Sequence, residues 1–143
     1  HTRLQGDWSS DVCSSDLAPR MATHGGGSII NVISVGGLKP PAYQGFYAGS
    51  KAALHAMTKV MAAEWAGMGI RVNAIAPGSF HSDMLDAAIR ILPGFEEGSR
   101  YASLQKRIAE TDEIIGPVMY LASDMSKFTT GATLVCDGGY LVL

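Results

Sequence analysis

Three short apolar segments constrain this chain more than any other feature. Residues 28–35 (SIINVISV), 70–76 (IRVNAIA) and 132–136 (ATLVC) are rich in β-branched side chains and alternate little. A strand that is apolar on both faces belongs in a parallel sheet covered on each side. The stretches between them are helical in pattern. From residue 47 to 67, Ala53, Leu54, Met57, Val60 and Met61 recur at helical spacing, and Gly67 and Gly69 close the run. Residues 82–91 and 99–109 read as helices on either side of a break at Pro93-Gly94. Residues 112–123 read as a further helix facing a core, which tolerates Pro117 only in its first turn. Strand, helix, strand, helices, strand is α/β alternation, and its crossovers build a parallel sheet with right-handed connections.

Composition narrows the class. The chain has 143 residues, 47% of them hydrophobic and 17% charged, a balance that excludes intrinsic disorder. No apolar run approaches the ~20 residues of a membrane-spanning helix. With 11 basic and 13 acidic residues, there is no electrostatic footprint for nucleic acid. The expectation is a single globular domain with neither membrane nor nucleic acid as a partner.

Residues 1–17 (HTRLQGDWSSDVCSSDL) stand apart. They hold four serines, three aspartates and Cys13, without helical or strand periodicity and without the apolar core of a signal peptide. DWSSDVCSSDL resembles the translation of a common short-read sequencing adapter. Residues 1–17 are therefore read as a non-native leader and 18–143 as the folded part. Setting the leader aside leaves Cys136 without a partner, which fits a reducing, cytoplasmic location.

The chemistry concentrates at three residues. Tyr47 and Lys51 are four apart at the start of a helix and so share one face. Ser34 lies at the carboxyl end of the first apolar segment, where open α/β sheets bind ligands. Tyrosine, with a pKa near ~10, is a poor base at neutral pH; a cation one turn away favours its phenolate. A serine hydroxyl beside it can donate to a developing oxyanion. The trio suits proton transfer to or from an alcohol or carbonyl.

A tyrosine and lysine at this spacing occur on many helix surfaces, so the context matters. GGSIINVIS (26–34), YAGSK (47–51), RVNAIAPG (71–78) and DGG (137–139) occur in that order. Together they resemble the C-terminal half of a short-chain dehydrogenase/reductase, over residues 18–143. The resemblance implies an incomplete Rossmann-type, doubly wound parallel sheet whose first strands precede residue 18. It implies an NAD(P)-dependent oxidoreductase interconverting a secondary alcohol and a ketone, with NAD or NADP as cofactor. Tyr47 matches the catalytic acid/base, Lys51 the lysine that tunes it and binds the nicotinamide ribose, and Ser34 the serine that orients the substrate carbonyl. Pro77, Gly78, Ser79 and Phe80 match the turn that meets the nicotinamide, and Ser82 stands for a cofactor-binding threonine. Asn31 and Asn73 match structural asparagines.

Two features depart from the family pattern. Gly49 replaces a frequent alanine, and the glycine-rich pyrophosphate turn and the catalytic asparagine are missing. Gly25-Gly26-Gly27 is not that turn, because it precedes a strand and lacks the G-x-G-x-x-G spacing. The resemblance implies a homodimer or homotetramer for the full-length parent. An inactive truncated fragment and a non-catalytic interaction module are the competing readings. The scattered histidines His24, His55 and His81 have no metal-ligand spacing. Nothing in residues 79–109, where the family carries its substrate lid, identifies a substrate.

Overall fold

The computed structural model describes residues 10–143, with side chains described from Asp16 onward. Three strands form one parallel sheet: β1 (Gly27–Val32), β2 (Ile70–Pro77) and β3 (Thr133–Cys136), in the order β1-β2-β3. β2 is the central strand. Its register sets Gly27 against Ile70 and Val32 against Ile75 on one side, and Ala74 against Thr133 and Pro77 against Cys136 on the other. The helices are α1 (Ser10–Thr23), α2 (Gly45–Trp65), α3 (Asp83–Ile91), α4 (Phe95–Tyr101) and α5 (Ile115–Ala122).

The core lies along β2, where Val72, Asn73, Ala74, Ile75 and Ala76 have no exposed surface. Ala18 of α1 and Ala62 and Trp65 of α2 pack with Ile70 and Val72 in one cluster. Ile33 and Val35 pack with Ala74 and Ala76 in a second. Buried polar groups are matched, as buried polar groups must be. Asn73 donates from Nδ2 to the Thr129 carbonyl at 2.9 Å and accepts the Ala132 N–H at Oδ1 at 3.0 Å. Asn31 donates to the Thr58 hydroxyl at 2.9 Å, and Thr58 in turn donates to the Leu54 carbonyl. The Arg71 guanidinium is held by the Ser126 hydroxyl and by the carbonyls of Leu121, Ser123 and Thr129. These bonds fasten the return into β3 to the central strand.

Several sequence expectations need correction. β1 ends at Val32, not at residue 35, and is only partly buried. It borders the described sheet, so one long edge lacks the cover that a central strand has. The buried stripe of α2 is Ala48, Thr58, Ala62 and Trp65, whereas Val60 is exposed. Residues 102–109 are not helical, because α4 starts straight after the Pro93-Gly94 break and stops at Tyr101. The helix expected at 112–123 splits into a 3₁₀ turn (Thr111–Ile114) and α5, with Pro117 in its first turn. Only Leu121 of α5 is buried, while Ile115 and Met119 stay exposed. Of the leader expected at residues 1–17, residues 1–9 lie outside the described residues. From Ser10 the chain is helical, and α1 crosses the boundary expected at 17/18 without a break. Among the residues whose side chains are described, Ala18 is the first that is buried.

Candidate active site

The carboxyl ends of β1, β2 and β3 open onto a cavity of about 1180 Å³. Each strand sends a short segment into its wall. β1 continues through Ser34 into a 3₁₀ turn (Val35–Gly37). Ser34 is its N-cap, extended in backbone, and its Oγ accepts the Gly36 N–H at 3.1 Å. A serine oxygen in that role satisfies one donor that the turn cannot satisfy itself. Its own hydroxyl proton is left for another acceptor.

α2 begins two residues before Tyr47, so Tyr47 and Lys51 occupy its first two turns. Lys51 Nζ donates to the Val32 carbonyl at 3.0 Å and lies 5.9 Å from the centre of the Tyr47 ring. The ammonium is thus tethered to the last residue of β1 while facing the phenol. Tyr47 is 40% exposed, on the cavity wall. A Cβ added to Gly36 would lie 3.5 Å from Ser34 Oγ and 3.6 Å from Tyr47 Cε1, so the serine and the tyrosine flank a single glycine.

Gly37, whose role sequence reasoning missed, sets how close the β1 loop can come to α2. A Cβ there would sit 2.8 Å from the Lys51 carbonyl carbon and 2.9 Å from the Ala52 nitrogen. Only a glycine lets the two backbones meet.

β2 supplies the opposite wall. The Gly78 N–H donates to the Cys136 carbonyl at 2.9 Å, and a Cβ on Gly78 would lie 2.8 Å from Asp137 Cα. Ser79 and Phe80 then pair with the returning lid segment. The Ala109 N–H donates to Ser79 and the His81 N–H to Ala109, both at 2.9 Å, giving a bridge between Phe80 and Ala109. Ser82 caps α3, its Oγ accepting the Leu85 N–H at 3.2 Å. Ser34, Tyr47, Lys51, Pro77, Gly78, Ser79, Phe80 and Ser82 all line the one cavity.

The rest of the wall was not legible as a site. Asp137 closes a turn: its carboxylate accepts the N–H groups of Gly139 and Leu141. It also lines the cavity beside Cys136, whose thiol is pushed up first by burial and then by the Asp137 charge. Arg107 grips Glu113 with both terminal nitrogens, at 2.6 and 2.7 Å, and the Glu110 N–H donates to the same carboxylate at 2.7 Å. These bonds hold the Glu113 carboxyl down at about 2, the hydrogen bonds from Arg107 first. At the lid's outer edge, His81 Nδ1 and Asp86 Oδ1 are 2.9 Å apart, and that bond raises the imidazole above its ordinary range. Among the described residues no cluster of histidine, cysteine or acidic side chains could hold a metal ion. No described helix is long and apolar enough to cross a membrane.

The chain is similar to known proteins over nearly its whole length. The sequence profile described as enoyl-(acyl carrier protein) reductase matches residues 9–141. The A-factor type γ-butyrolactone 1′-reductase of Streptomyces virginiae is 42% identical over 128 residues, which are 90% of this chain and 50% of that protein. The crystal structure of the acetoin dehydrogenase YohF from Salmonella typhimurium superposes with a TM-score of 0.77 at 34% identity, covering 93% of this chain and 51% of that one. ElxO, solved with NADP bound, superposes with a TM-score of 0.84 at 29% identity, covering 94% and 54%. The chain thus spans about half the length of the relatives it matches. With its parallel α/β sheet and its profile match across nearly the whole length, the chain belongs to the short-chain dehydrogenase/reductase family of oxidoreductases.

Proposed function

We propose that this chain carries the proton-transfer machinery of an NAD(P)-dependent oxidoreductase that interconverts a secondary alcohol and a ketone. The convergence of Ser34, Tyr47 and Lys51 on one cavity at the strand ends carries the reading. The donor set fits a nicotinamide ribose. Lys51 has one of three N–H groups on the Val32 carbonyl, and Tyr47 presents its phenol beside it. Ser79, Phe80 and Ser82 would hold the nicotinamide end from the opposite wall. The cofactor, when bound, supplies or accepts the hydride.

In the reduction direction Tyr47 donates its proton to the carbonyl oxygen as that oxygen gains the carbonyl π electrons. The Lys51 ammonium stabilises the phenolate left behind, and Ser34 donates its hydroxyl hydrogen to the substrate oxygen. In oxidation the same phenolate takes the alcohol proton. A positioned general acid contributes about 10²–10⁴-fold. Tyr47→Phe in the complete protein should therefore lose about 10²–10⁴-fold in kcat while still binding NAD(P)H, followed by nicotinamide fluorescence. Near-full activity would refute the assignment.

The same reading carries a homodimer or homotetramer and a cytoplasmic location, which sedimentation and fractionation test. A second reading, that the 143-residue polypeptide is inactive by itself, is favoured by β1, whose outer edge has no strand partner among the described residues.

A further inference from the structure

We infer that the substrate is an uncharged ketone or alcohol bearing an extended apolar group, seated against α3 and α4. This rests on the proton-transfer reading of Tyr47. Met84, Leu85, Ala88 and Leu92 follow one another at helical spacing along one side of α3 and its C-cap. With Phe95 and Ala102 of α4 and its end, they form an apolar wall of the cavity. Met84 and Leu92 are exposed there. A helix that leaves methionine and leucine bare at the mouth of a cavity offers a surface that apolar ligands bury.

Charge supports the same class. Among the described residues, four charged side chains line the cavity: Lys51, Arg107, Glu113 and Asp137. Three of them are matched within the protein. Arg107 and Glu113 hold each other through two hydrogen bonds, with the Glu110 N–H completing the carboxylate. Asp137 is closed by two backbone N–H groups. Lys51 is tethered to Val32 and faces the phenol it serves. A carboxylate or phosphate on the substrate would have to pull Arg107 from a bidentate partner, a geometry that planar guanidinium and carboxylate favour strongly. Elsewhere in the cavity it would meet only neutral side chains such as Ser99, Ser103 and Gln105, which leave its charge uncompensated. A neutral apolar chain meets neither obstacle.

The test compares a keto acid with its own methyl ester, 4-oxopentanoate and methyl 4-oxopentanoate, alongside 2-octanone. Binding is followed in the purified complete protein by NMR of ¹³C-methyl methionine, with Met84 as the cavity reporter and Met125, outside the cavity lining, as the control. Turnover is followed by NAD(P)H consumption. The expected result is a shift at Met84 with ester and octanone affinities at least tenfold above that of the acid, and the same order in kcat/KM. Ala88→Arg, which sets a cation in the wall, should lower the ester-to-acid affinity ratio at least fivefold.

Equal or tighter binding of the acid, no shift at Met84 with any of the three, or an unchanged ratio in Ala88→Arg would each overturn the inference. Ester binding at Met84 without turnover in the complete protein would sustain it and count instead against the proposed reaction.

Discussion

Lys51 answers to two constraints at once, and both are geometric. Its ammonium must reach the Val32 carbonyl, and its backbone must lie against Gly37. Gly37→Ala should therefore act on catalysis through Lys51. The added methyl meets backbone atoms that cannot swing aside, and overpacking of this kind costs about 1–3 kcal/mol. We expect a lower Tm in calorimetry and a fall in kcat, because the Lys51–Tyr47 spacing changes. Asn73→Ala tests a structural residue instead. It strips two partners, the Thr129 carbonyl and the Ala132 N–H, and each unsatisfied buried group costs about 1–3 kcal/mol. Thermal unfolding should reveal the loss. Ser34, Tyr47 and Lys51 were legible because their relation is local: a strand end, a loop and one helical turn. Gly37 was not, since its constraint comes from α2, and only the folded chain brings that backbone within 3 Å of where a Cβ would stand.

At the scale of elements, two of the ionic contacts within the segment from Ser79 to Glu113 have opposite pH behaviour. The Glu113 carboxyl is depressed to about 2 by Arg107 and by the Glu110 N–H. A depressed carboxyl stabilises above its unfolded value, 4.5, and that contribution is lost as pH falls from there toward about 2. His81 is raised above 6.5, its bond to Asp86 being the largest cause. It stabilises below 6.5, and the contribution is lost as pH rises through its folded value. Amide hydrogen exchange at His81 and Ala109, which donate the bonds of the bridge, should be most protected between about pH 4.5 and 6.5. Glu113→Gln should remove the acid limb alone.

The sequence showed that residues 79–109 held helices and a break. It did not show Arg107 and Glu113 as a clasp, because their six-residue separation spans a turn and fits no helical pairing. The helix expected at 99–109 failed for a related reason: residues 103–109 pair with Gly138 and with Ser79 instead. Tertiary bonds there outweigh local propensity.

Across the described residues the sheet was readable, and so was the burial of β2, but not that of β1. Apolar runs announced three parallel strands, and three are present in sequence order. Continuous hydrophobicity in β1 implied cover on both faces, yet Val32 is 55% exposed. Together with the bare Ile115 and Met119 of α5, this leaves an apolar border along the described residues. An open strand edge is a template for pairing with other chains. The 143-residue polypeptide by itself should elute from a size-exclusion column as polydisperse aggregate and melt without a cooperative transition. A monodisperse peak with a sharp calorimetric transition would contradict this.

Three neighbouring strands deliver the three walls of the cavity from the same end. Strand spacing is about 4.8 Å, so the distance from the Ser34 wall to the Asp137 wall comes in whole strand steps, about 10 Å in all. No substitution tunes that width gradually, because the inter-strand hydrogen bonds fix the lateral spacing whatever the side chains. The segment from Ser79 to Ala109 is bound by no such ruler. Variation in what the pocket accepts is therefore free to accumulate there, by insertion or exchange, while the proton-transfer groups stay fixed by β1, its following turn and α2.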